Sequence, residues 1–119
     1  MPKQVMVLED EPILFELLDS LLTLEGYRVT KPATSKELLP DLRAYRPDAV
    51  LIDVNLKDAN GLELLGKIRS DEALKDMVVL LTSGADYRQE AGEQGADGFL
   101  MKPYMPEDLV SVLKQKLGE

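Results

Sequence analysis

The sequence predicts an α/β fold: five short strands alternate with five helices in one doubly wound parallel sheet, with helices on both faces. Two observations carry this. Short apolar runs rich in Val recur along the chain, and amphipathic stretches of helical period separate them. Continuous apolar runs suit strands buried on both faces, as parallel strands are, because crossover helices cover each side. Strict alternation makes each connection a right-handed βαβ crossover.

The elements follow in order. Val5-Met6-Val7-Leu8 predicts the first strand. Ile13, Leu14, Leu17, Leu18, Leu21 and Leu22 then fall on one helical face, with Pro12 suited to the first helical position and Gly26 to the stop. Tyr27-Arg28-Val29-Thr30 is a weaker second strand. Thr34 and Glu37 have capping-box spacing for a second helix, which Pro40 should kink or shift. Ala49-Val50-Leu51-Ile52 predicts the third strand, and Leu62, Leu65 and Ile68 stripe the third helix. Met77-Val78-Val79-Leu80-Leu81 predicts the fourth strand. The segment 84–94 is a weak helix, with Gly84 at its start and Gly92 within. Phe99-Leu100-Met101 is the fifth strand; Leu109, Val110, Leu113 and Leu117 stripe the last helix, capped by Gly118.

Composition bounds the function. A chain of 119 residues without repeats or linkers is expected to form a single domain over 1–119. Apolar residues make up 45% and charged residues 30%, the balance of a globular protein. There is no Cys, which excludes disulfides, thiolate metal sites and a cysteine nucleophile. There is no His, which removes the usual zinc ligand and general base. A net charge of −8 repels phosphate backbones, so no nucleic acid is expected to bind this domain. No apolar run approaches a membrane span, and Met1-Pro2-Lys3-Gln4 is not a signal peptide, so the expected compartment is the cytoplasm, away from any membrane.

Ligands of open α/β sheets bind beyond the carboxyl ends of the strands. There the sequence places Glu9, Asp10 and Glu11 after the first strand, Asp53 after the third, Thr82-Ser83 after the fourth and Lys102-Pro103 after the fifth. Each has a bland reading: Asp10 as a cap of the first helix, Thr82 as a turn residue, Lys102 as a solvated charge. A lone carboxylate at Asp53, ending an apolar strand, is costly without a cation. Together they form a rim of carboxylates, a hydroxyl and an ammonium. Crowded carboxylates with oxygen-only donors favour Mg²⁺. Beside such an ion a Lys and a hydroxyl bind phosphoryl oxygens, and the free carboxylate attacks phosphorus.

The chain resembles a receiver domain of bacterial two-component response regulators along essentially its whole length. Four segments carry the likeness: Val7-Leu8-Glu9-Asp10-Glu11-Pro12; Leu51-Ile52-Asp53 through Asn60-Gly61; Leu80-Leu81-Thr82-Ser83; and Gly95-Ala96-Asp97-Gly98-Phe99-Leu100-Met101-Lys102-Pro103. The resemblance implies the flavodoxin-like strand order 2-1-3-4-5. It implies that Asp53 accepts the phosphoryl group, Asp10 ligates Mg²⁺ or Mn²⁺ directly, Glu9 acts on the metal through water, and Asn55 offers its backbone carbonyl. Thr82 would bond the phosphoryl group, and Phe99 would turn inward as Thr82 moves. Lys102 would pair with a phosphoryl oxygen, the Lys102-Pro103 bond would be cis, and small Ser83 would leave access to Asp53. Implied partners are a histidine kinase or histidine phosphotransfer protein, a downstream effector domain or protein, and a second copy in a homodimer. The chain would catalyse its own aspartyl phosphorylation and dephosphorylation rather than turn over an external substrate.

Three departures stand out. Glu9 replaces the commoner Asp, Lys57 stands where Pro is frequent, and the Gly-rich stretch from Thr82 to Lys102 is about two residues short, which weakens the analogy at the output face. Two rivals remain. A phosphorylation-independent interaction module would usually have lost an acid, the Thr or the Lys. A phosphatase with an aspartate nucleophile would want an acid at position 55, which is Asn. A dinucleotide fold is disfavoured because no Gly-rich loop follows the first strand.

Overall fold

The computed structural model describes residues 2–119. Five parallel strands, β1 (Gln4–Leu8), β2 (Arg28–Thr30), β3 (Ala49–Asp53), β4 (Val78–Ser83) and β5 (Gly98–Met101), lie in the order β2-β1-β3-β4-β5. Between them run α1 (Pro12–Leu24), α2 (Leu38–Tyr45), α3 (Gly61–Arg69) and α4 (Arg88–Glu93), with α5 (Pro106–Lys116) last. The doubly wound α/β sheet is the one the alternation predicts.

The alternation of side chains along each strand builds two cores. Met6, Leu8, Val50, Ile52, Val79 and Leu81 point to one face, where Leu38 and Leu42 of α2 and Leu64, Leu65 and Ile68 of α3 cover them. Val5, Val7, Ala49, Leu51 and Leu80 point to the other, against Leu18 and Leu22 of α1 and Leu109 and Leu113 of α5. Every residue of β3 is buried, as the central strand of a doubly covered sheet must be.

Three local readings differ from the structure. Ile13 and Leu17 are 79% and 62% exposed, and the sheet side of α1 is instead Leu18 and Leu22 flanked by Leu14, Phe15 and Leu21. The apolar band on this helix is wider than the strip one sheet face can cover. Thr34 makes no side-chain cap; a 3₁₀ turn at Ser35–Glu37 leads into α2 instead, with Glu37 N donating to Thr34 O at 3.1 Å. Pro40 then falls in the first turn of α2, where its missing N–H has no intrahelical acceptor to lose. Finally, α4 starts at Arg88 rather than Gly84 and has six residues.

Candidate functional site

The carboxyl ends of β1, β3, β4 and β5 meet on one rim. Leu8 pairs with Ile52 across the sheet, Asp53 with Thr82, and Ser83 with Met101. Glu9 leaves β1 almost wholly buried, at 3% exposure, and Asp53 ends β3 at 7%. One ammonium serves both: Lys102 Nζ lies 2.9 Å from Glu9 Oε1 and 3.2 Å from Asp53 Oδ2. The remaining oxygens take backbone donors. Glu11 N donates to Glu9 Oε2, and Asn55 N to Asp53 Oδ1, both at 3.1 Å.

Local structure fixes Asp53 in this pose. Val54 N donates to Thr82 O at 2.8 Å, and Gly61 N donates to Val54 O at 2.9 Å, so the chain after β3 turns back over the strand end. Gly61 makes that turn possible: a Cβ there would stand 2.7 Å from Asp53 O and 2.8 Å from Val54 Cα. Asn60 caps α3, accepting from Leu62 N at 2.8 Å, and bridges back to Asn55.

Thr82 is buried beside Asp53, and Ser83 is fully buried. Ser83 Oγ donates to Asn55 Oδ1 at 2.6 Å and accepts from Ala85 N at 3.1 Å, so its hydroxyl joins the loop after β3 to the loop after β4. Lys102 N donates to Ser83 O at 2.8 Å, and the Lys102–Pro103 peptide bond is cis. Phe99 is half-buried, paired with Leu81 in the sheet and packed on the core of that face.

Asp10 behaves differently. It does not cap α1, whose N-cap is Glu11 with no side-chain bond. Its Oδ2 accepts instead from Lys57 N in the loop after β3. The rim therefore gathers all four strand ends, but the Asp10 carboxylate is aimed at a backbone amide.

Burial weighs against the Lys102 charge, yet the hydrogen bond and charge of Glu9, then those of Asp53, outweigh it and raise its pKa above the ordinary lysine value. Beside it, Tyr104 has a buried hydroxyl with no hydrogen-bond partner, and burial pushes its pKa up to about 12. Sequence reasoning passed over Tyr104; its only signal is an aromatic two residues past Lys102.

Among the described residues, no three acidic side chains stand together closely enough to hold a metal ion. The donor types nevertheless fit a hard divalent cation: Glu9, Asp10, Asp53 and the Asn55 carbonyl offer oxygen only, and two of the carboxylates, Glu9 and Asp53, share one ammonium.

The profile of the response regulator receiver domain matches residues 5–114. The probable transcriptional regulatory protein TcrX of Mycobacterium tuberculosis is 33% identical over 117 residues, which are 98% of this chain and 50% of that protein. A putative response regulator from Chloroflexus aurantiacus superposes with a TM-score of 0.92 at 29% identity, covering 100% of both chains. The chemotaxis response regulator CheY4 of Vibrio cholerae gives 0.87 at 27% identity, over 98% of this chain and 99% of its own. The chain spans about half the length of the curated relatives it matches.

Proposed function

This chain belongs to the response regulator receiver domain family, and from that premise we propose that it is a phosphorylation-switched signalling receiver whose phospho-acceptor is Asp53. The observation that carries this reading is the Asp53 carboxylate itself. It is buried at the end of a fully apolar strand, with one oxygen on Asn55 N and the other on Lys102. A carboxylate buried at such a place is costly to desolvate.

In the transfer, an Asp53 oxygen forms a bond to phosphorus as the P–N bond of a phosphohistidine breaks, and the imidazole leaves with its electron pair. Lys102 passes from the carboxylate to a phosphoryl oxygen. The Thr82 hydroxyl donates to another, and Phe99 follows the displacement of Thr82. Compact Ser83 leaves the approach to Asp53 open. Mg²⁺ or Mn²⁺ supplies charge neutralisation when bound, held by Glu9, Asp10, Asp53 and the Asn55 carbonyl. Because these groups belong to the receiver, small phosphodonors also serve.

The donor protein is a histidine kinase or histidine phosphotransfer protein. Ile13 and Leu17 of α1, and Met105 beyond the Lys102–Pro103 corner, offer it exposed apolar side chains. The signal passes to an effector domain or protein. The proposed compartment is the cytoplasm; no helix among the described residues is long and apolar enough to cross a membrane.

The test is intact mass after incubation with acetyl phosphate or phosphoramidate and Mg²⁺. The chain should gain a single phosphate, and Asp53→Asn should gain none. An unlabelled parent, or a labelled variant, overturns the assignment.

A further inference from the structure

We propose that the backbone N–H of Lys57 parks the Asp10 carboxylate and competes for it with the divalent cation. This rests on the reading of Glu9, Asp10 and Asp53 as the cation site. Among the described residues, Lys57 N is the only hydrogen-bond partner of the Asp10 side chain, and it reaches across 47 positions of sequence. The amide does the holding, since no ion pair joins the Lys57 ammonium to Asp10.

The donor is itself held in place. Asn55 bridges to Asn60 at the far end of the same loop, and the Asn55 side chain is tied to Ser83. A charge-assisted bond from a fixed amide orients a carboxylate strongly. In this model the cation takes Asp10 from the loop, and cation binding frees the amide of Lys57. Coupling of this kind is reciprocal: whatever holds residues 55–60 in the parked arrangement weakens the cation by the same factor.

Proline is the one residue type that cannot make this bond, because it has no backbone N–H. Lys57→Pro should bind Mg²⁺ about three- to tenfold more tightly than Lys57→Ala, which also lacks the ammonium but keeps the N–H. Affinity is read by titrating Mg²⁺ into ¹⁵N-labelled protein that starts in EDTA. In the parent chain the Lys57 amide should exchange slowly in EDTA and shift upfield as Mg²⁺ saturates. Equal affinities for the two variants, or a Lys57 amide that does not move while amides near Asp10 and Asp53 do, overturns the parking model alone. Should Lys57→Pro fail to fold, the Lys57 amide of the parent decides. No shift anywhere at high Mg²⁺ overturns the cation site and the parking model together. Both outcomes are independent of the phosphorylation assay on Asp53.

Discussion

The Lys102 ammonium stands closer to Glu9, at 2.9 Å, than to Asp53, at 3.2 Å. Glu9, the more buried carboxylate, thus holds the ammonium at the shorter distance, and Asp53 shares it at the longer one. On the proposed reading, Lys102 can pass from Asp53 to a phosphoryl oxygen while Glu9 keeps it at the site.

The same pairing shapes the alkaline limit of stability. A raised Lys102 pKa contributes stability in full below the ordinary lysine value and loses it as pH rises through the higher folded value. Tyr104 acts in the same direction. Its phenol keeps its proton in the folded chain from the ordinary value of 10.0 up to about 12, while the unfolded chain gives it up. Stability should therefore fall steeply with pH above about 10. Urea unfolding at stepped pH checks this, and Tyr104→Phe and Lys102→Met should each flatten that limb. Slopes equal to the parent would show that neither group matters.

Gly61 should be intolerant of any side chain. A Cβ would meet backbone atoms, Asp53 O at 2.7 Å and Val54 Cα at 2.8 Å, and backbone cannot step aside as a flexible side chain does. Gly61→Ala should cost about 2–3 kcal/mol and should also abolish labelling by acetyl phosphate, because the relief moves the acceptor itself. Gly84→Ala is the control: nothing lies within 4 Å of its Cβ, so stability should change by less than about 0.5 kcal/mol.

How much of this was readable in sequence depends on distance along the chain. An acid directly after a buried strand has its place set by the strand, so Glu9 and Asp53 were visible as rim residues. The strand order was implied only by the family likeness. Asp10 was not readable in the same way, because its partner is a backbone amide 47 residues on, presented by a loop whose shape no periodicity encodes. The apolar band of α1 named too many core residues, since period alone does not say how wide a strip the sheet covers. The start of α4 was misplaced because Gly84, Ala85 and Asp86 carry no pattern of their own, and the Ser83 hydroxyl decides where that loop turns.

Arg69 should be a structural keystone at the opposite end of the sheet. Its guanidinium donates to Gly95 O at 2.8 and 3.0 Å, to Met77 O at 2.7 Å, to Lys75 O at 3.1 Å and to Asp97 Oδ2 at 2.9 Å. Asp97 Oδ2 in turn accepts from Val79 N at 2.8 Å. One side chain thus joins the end of α3, the start of β4 and the turn before β5. Arg69→Ala should lower unfolding free energy by about 2–3 kcal/mol. Arg69→Lys should recover less than half, because a single ammonium cannot span the acceptors of a planar fork. Full recovery by Lys in urea denaturation would reduce the role of Arg69 to its charge.

The last prediction concerns α4. Six residues are too few for a helix to persist by propensity, and Gly92 lowers it further. Only Ala91 is buried, with Tyr87 half-buried beside it. The two ends are held unequally. Beyond the C-terminal end, Gly95 is pinned by Arg69, and Asp97 N donates to Val79 O at 2.8 Å. At the N-terminal end, Gly84, Ala85 and Asp86 are exposed, and Ala85 N rests on the Ser83 hydroxyl. The segment should therefore open as a flap, hinged near Gly95 and released at Ala85, far below the global unfolding free energy. Hydrogen exchange should show amides 85–93 faster than those of every other helix, with Asp97 slow. Ser83→Ala should speed Ala85 further while leaving Asp97 unchanged. Thr82 and Phe99 lie on either side of this flap, so occupation of Asp53 by beryllofluoride should slow amides 85–93 by ordering it. Amides already slow in the free chain, or unchanged by beryllofluoride, would instead mark α4 as a rigid surface helix.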